Sequence, residues 1–75
     1  MSIDGIVITE PYIVDNNNIK LTQFVIANRE QHLSVIIKGI YNVGKFDVVS
    51  VSGTPRTCSR NGIEINEIIA QNLIC

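Results

Sequence analysis

Six cationic side chains, Lys20, Arg29, Lys38, Lys45, Arg56 and Arg60, are spread along this chain, and the single histidine, His32, lies among them. Four aromatic residues, Tyr12, Phe24, Tyr41 and Phe46, are interleaved with them. Cations neutralise phosphates, and flat rings stack on unpaired bases at about 1–3 kcal/mol per base. Such a mixture could hold one strand of nucleic acid. Phe24 lies inside an apolar stretch and reads as core, as does Phe46 at the head of another. Tyr12 and Tyr41 fall in expected loops and are open to a base, with Tyr41 favoured because it follows Lys38-Gly39.

Other chemistry finds little footing. A nucleophile needs a base and a group to orient it, and one histidine beside scattered serines and threonines supplies neither, so no enzyme is expected. His32 has no cysteine or carboxylate at ligand spacing, and neither metal nor cofactor is expected. Gly39-x4-Gly44-Lys45 has the outline of a phosphate loop. It continues into Phe46 rather than Ser or Thr, and a strand rather than a helix follows. Glu64 and Glu67 read as solvent-facing charges. Cys58 and Cys75 form no CxxC pair and are expected to be reduced thiols of a cytoplasmic protein, a bridge between subunits through Cys75 being the alternative.

With 75 residues the chain makes one domain, residues 1–75, that buries about 60–65% of its unfolded surface. Self-association is the expected remedy for that thin margin. The net charge of −1 disfavours tight binding of nucleic acid by bulk electrostatics but leaves room for a local basic stripe. Hydrophobic residues make up 45%, too many for a disordered segment. No apolar run approaches the ~20 residues of a membrane span, and Met1-Ser-Ile-Asp-Gly lacks the features of a signal peptide.

The elements that must carry these side chains are strands. Fourteen isoleucines and eight valines stand against three leucines and two alanines, and β-branched side chains favour sheet. A first strand is expected over Ile3–Thr9, stopped by Pro11, with Gly5 permitting a bend. Asp15-Asn16-Asn17-Asn18 signals a turn. Lys20–Asn28 and His32–Lys38 follow as strands two and three, then a connector over Gly39–Lys45, then strand four over Phe46–Ser52. Asn61-Gly62 suits a tight hairpin. The segment Glu64–Leu73 is ambiguous. Ile65, Ile68, Ile69 and Leu73 follow helical spacing, while a strand requires a register slip at Glu67 that would put Ile68, Ala70 and Ile74 together.

In order and spacing these segments resemble the bacterial single-stranded-DNA-binding proteins and the related primosomal replication protein N. Gly5 to Pro11, with Glu10 before the proline, matches the first-strand signature of that family. Gln23-Phe-Val-Ile-Ala-Asn-Arg29 is similar to the second strand of primosomal protein N, and Lys38-Gly39 to the end of strand three. Val49-Ser-Val-Ser-Gly53 with Arg56-Thr57, then Asn61-Gly62 and Glu67–Leu73, match the fourth strand and the closing hairpin. The family's helix between strands three and four is missing, which leaves that end of the barrel less well plugged. Tryptophan is absent, and no acidic tail for recruiting partners follows the last strand.

The resemblance implies an all-β, five-stranded OB-fold barrel without the strand 3–4 helix, and with the Asn-Gly turn it makes Glu64–Leu73 a strand. It implies binding of single-stranded DNA, RNA not being distinguished, in a groove across strands two and three and under the last hairpin. Lys20, Arg29, Lys38, Arg56 and Arg60 would meet phosphates, and Tyr41 and His32 would stack. A homodimer or homotetramer is expected, as an accessory factor in DNA replication, recombination or repair, with replication proteins as candidate partners and no membrane. The competing reading is an OB module for protein–protein interaction, joined through the long apolar first strand.

Overall fold

The computed structural model describes residues 1–74, without the side chain of Arg60. The expectations for Cys75 and for the Arg60 guanidinium lie outside the described residues. Six strands form: β1 (Ser2–Val7), β2 (Tyr12–Asn16), β3 (Ile19–Ala27), β4 (His32–Lys38), β5 (Val48–Arg60) and β6 (Ile63–Ile74). The order β1-β5-β6-β4-β3 closes on itself through a second pairing of β1 with β3, and β2 extends outward from β3. All neighbours are antiparallel except β4 and β6, which run parallel from Ser34↔Glu67 to Ile37↔Ala70. The ring has five members, as the sequence implies.

Closure depends on how the first strand changes partner. Ser2–Ile6 pair with β5, and Ile6 and Val7 already pair with β3. The β3 ladder then runs on past the strand's end: Ile8 N donates to Val25 O at 2.9 Å, and Val25 N donates to the Thr9 hydroxyl at 3.0 Å. Thr9 thus supplies by side chain the acceptor that the break before Pro11 takes away. Beyond Pro11 the chain resumes as β2, where the sequence suggested only a loop. Tyr12 is therefore a strand residue. Asn17 and Asn18, with φ of 51° and 66°, turn β2 into β3, and Asn61 and Gly62, with φ of 52° and 78°, turn β5 into β6. Positive φ at both central positions is the turn geometry that suits right-twisted strands.

Alternation along β3 and β4 sends Thr22, Phe24, Ile26, Leu33, Val35 and Ile37 inward, where they pack with Val7, Val49, Val51, Ile68 and Ala70. The connector from Gly39 to Asp47 closes one end of the barrel without a helix. The buried Thr22 hydroxyl donates to Gly39 O at 2.7 Å and accepts from Tyr41 N at 3.3 Å. Val43 enters the core and Tyr41 packs against it. The expectation of a poorly plugged end is thereby corrected.

Three further expectations change. Phe46 does not open a strand in the core: it precedes β5, is 72% exposed and has φ of 77°. Glu67 is not solvent-facing but only 3% exposed. The register slip falls at Gln71, between the pairs Gly53↔Ala70 and Ser52↔Asn72, rather than at Glu67. Ile68 and Ala70 do share the core, but the later slip brings Leu73 against it and leaves Ile74 exposed.

Candidate nucleic-acid interface

Residues opposite one another in a sheet project from the same face, so the pairings define the outer wall of the barrel row by row. One row runs Tyr12, Gln23, Ile36, Ile69 and Thr54 across β2, β3, β4, β6 and β5. A second, toward the β3–β4 turn, runs Val25, Ser34, Glu67 and Arg56. Leu21 and Lys38 form a third row on the other side, and Ala27 with His32 end the wall. The hairpin of β5 and β6 adds Glu64, Ile65 and Asn66, which line a groove with His32, Ser34 and Val25.

The six described side chains expected to bind do not converge on one spot. Lys38 and His32 are exposed at opposite ends of β4 on the outer wall, about 20 Å apart at strand rise. Arg29 is exposed in the β3–β4 turn, shaped by the Asn28 carboxamide oxygen, which accepts from Glu30 N at 2.9 Å and Gln31 N at 3.1 Å. Lys20 has the parity of Phe24 and so stands at the barrel's end rather than on the wall. It reaches Asp15 at 3.4 Å, and shares a groove with Lys38, Ile19 and Ile40. Tyr41 is half-buried in the connector.

Arg56 is on the wall but already partnered. Its Nε donates to Glu67 Oε2 at 3.1 Å, and its Nη2 donates to the same oxygen. The hydrogen bond with Glu67, and secondarily the nearby Cys58 and the Glu67 charge, raise the Arg56 pKa above its ordinary value. The guanidinium therefore stays charged at any working pH. Among the described residues the ion pairs are Lys20–Asp15 and Arg56–Glu67, which leaves Arg29, Lys38 and Lys45 without a carboxylate partner. Lys45 Nζ instead lies 5.2 Å from the centroid of the Phe46 ring.

No family model matches the chain, and no curated protein matches it. Among solved structures, the second single-stranded-DNA-binding protein (SSBb) of Mycobacterium smegmatis is similar at 23% identity, with a TM-score of 0.87 over 97% of this chain and 80% of that one. This chain shares that protein's OB fold. Among the described residues, no cluster of three or more histidine, cysteine, aspartate or glutamate side chains could hold a metal ion. No helix among the described residues is long and apolar enough to cross a membrane.

Two features of this outer wall escape the sequence. Glu67 is one: a carboxylate inside an apolar strand looks like an outward charge until the Arg56↔Glu67 pairing is known. Gln23 is the other. It accepts a hydrogen bond at 2.9 Å from the hydroxyl of Tyr12, its cross-strand partner, and the parity of the two strands would have flagged the pair had β2 been recognised.

Proposed function

We propose that this chain binds single-stranded DNA without sequence specificity, as a homodimer or homotetramer, and serves as an accessory factor in DNA replication, recombination or repair alongside other replication proteins. The observation that carries the proposal is the outer wall of β3 and β4 beneath the β5–β6 hairpin, in the fold shared with a protein named for single-stranded DNA binding. OB folds commonly use this face and this hairpin for single strands. Lys38 and Arg29 meet phosphates at the two ends of the wall, with His32 between them. Lys20 and Arg56 contribute less, because each is partly neutralised by a carboxylate.

Self-association has a candidate surface where the row of His32 and Ala27 continues onto β1 and β5. Ile6 and Val48 pair across those strands, are 45% and 66% exposed, and border an apolar recess with Ala27, with Arg29 on its rim. Covering that recess with a second copy doubles the cations offered to one strand of DNA.

Fluorescence anisotropy with oligo-dT at two salt concentrations tests the reading. Lys38 and Arg29, the free cations at the wall among the described residues, give a log–log salt slope of about −1.4, and a dimer engaging both walls about −2.8. Between 50 and 200 mM salt those slopes correspond to roughly 7-fold and 50-fold losses of affinity. An absence of saturable binding at low salt overturns the proposal. The apolar recess would then favour an OB module for protein–protein interaction.

A further inference from the structure

We propose that Tyr12 is the base-stacking residue of this surface and that Gln23 holds its ring ready; the inference rests on the single-stranded-DNA reading above. Tyr12 is 56% exposed and heads the row that crosses the outer wall through Gln23, Ile36 and Ile69. It belongs to β2, which pairs with β3 alone, so the ring stands at the wall's border with solvent beyond it. A base can approach there without displacing another strand.

The hydrogen bond from the Tyr12 hydroxyl to Gln23 Oε1 fixes the far end of the ring. A ring already restrained loses less rotamer freedom when a ligand settles on it, so more of the stacking energy is realised as affinity. Lys38 lies two strands across and two residues along from Tyr12 in the same wall, about 12 Å away by strand spacing and rise. A short stretch of one strand reaches both, a base on the tyrosine and a phosphate on the lysine.

The other aromatic side chains offer less. Phe24 is 1% exposed in the core. Tyr41 is packed against the core, with its backbone N–H tied to Thr22. Phe46 is open to solvent, but it lies outside these rows and the Lys45 ammonium is over its ring. The ligand class is any unpaired nucleobase, since every base presents a π-face.

The chain has two tyrosines and no tryptophan, so its intrinsic fluorescence reports on stacking at Tyr12 and Tyr41 alone. Oligo-dT affinity by anisotropy and quenching of tyrosine emission are measured together on the wild type, Tyr12→Ala, Tyr12→Phe and Tyr41→Phe, with thermal melts of each. The expected result is a loss of about 5- to 150-fold for Tyr12→Ala and a distinctly smaller loss for Tyr12→Phe, whose ring still stacks but has lost its tether to Gln23. Quenching should persist in Tyr41→Phe and vanish in Tyr12→Phe. Wild-type affinity in a folded Tyr12→Ala, or quenching that survives Tyr12→Phe, overturns the role of Tyr12 and leaves DNA binding standing. Equal losses in the Ala and Phe variants likewise overturn it, because they assign Tyr12 to support of Gln23. A wild type that binds no oligo-dT overturns the parent reading itself.

Discussion

Gly53→Ala should unfold much of this barrel's stability margin, and the reason is local and geometric. Gly53 lies where β5 passes the register slip in β6, and the slip brings the neighbouring backbone close. A Cβ at Gly53 would stand 2.1 Å from Ile69 O, 2.7 Å from the Ala70 Cα and 2.9 Å from the Ile69 carbonyl carbon. These are main-chain atoms, so no side chain can rotate away. One strand must move by an ångström or more, against a ladder held on one side by Gly53 N donating to Met1 O at 2.9 Å.

Overpacking of this kind costs about 1–3 kcal/mol, and a backbone wall puts this site at the upper end. A 75-residue domain at ordinary stability per residue has about 4–11 kcal/mol in total. A loss of ~3 kcal/mol in a domain of this size lowers Tm by about 12–24 °C. Thermal melts by circular dichroism measure it, with two controls that separate the causes. Gly44→Ala places its Cβ 3.6 Å from Asp47 Oδ2, an ordinary contact, and should melt close to wild type. Gly62→Ala meets nothing within 4 Å but sits at φ of 78°, so it should lose only the ~1 kcal/mol of a left-handed backbone. A Gly53→Ala variant that melts within about 3 °C of wild type would mean β6 does not cross so closely, and the Gln71 slip would be wrong.

Phe46→Gly should raise Tm by about 4–8 °C, since it relieves roughly 1 kcal/mol of left-handed strain while removing a ring that is mostly in solvent. A fall in Tm would mean that the Lys45–Phe46 contact outweighs the strain. For the pair on the outer wall, Arg56→Met alone should destabilise by leaving the Glu67 carboxylate buried and unpaired, whereas Arg56→Met with Glu67→Met should recover most of the loss. Additive effects across that double-mutant cycle in chemical denaturation would refute the coupling.

Much of the barrel was legible because β-branched residues and paired turn signals are local cues. His32–Lys38 forms as expected, and both Asn-rich turns adopt positive φ. Strand β2 was hidden because Pro11 stops a ladder, and only the tertiary placement of Thr9 against Val25 shows that pairing with β3 continues toward it. The helical spacing of Ile65, Ile68, Ile69 and Leu73 has a sheet explanation. The slip at Gln71 shifts core parity from Ile68 and Ala70 to Leu73, and Ile69 follows the outer wall with Ile36. An alternating strand with one inserted residue counterfeits a 3.6-residue period. At the site, the cations were visible but their partners were not. Lys20–Asp15 and Arg56–Glu67 are cross-strand pairs, and register is what sequence reads worst.

Those pairings decide how a protein of net charge −1 could hold a polyanion. Asp15 offsets Lys20, Glu67 offsets Arg56, and Lys45 lies over a ring away from the wall rows. Among the described side chains Lys38 and Arg29 remain, near opposite ends of β3 and β4, too far apart to reinforce each other through more than one screening length of about 8–10 Å. Those described residues therefore offer two isolated cations instead of a continuous positive groove. On the proposed reading, a base stacked on Tyr12 must contribute as much as either cation, and copies joined through Ile6 and Val48 must lengthen the track. Affinity would then be less salt-sensitive per protomer than that of a basic OB protein, and would depend steeply on protein concentration through assembly. Val48→Gln separates these terms: it places a neutral polar group in the apolar recess, so that Arg29 on the recess's rim keeps its charge. It should flatten the salt slope toward about −1.4 while leaving tyrosine quenching in place.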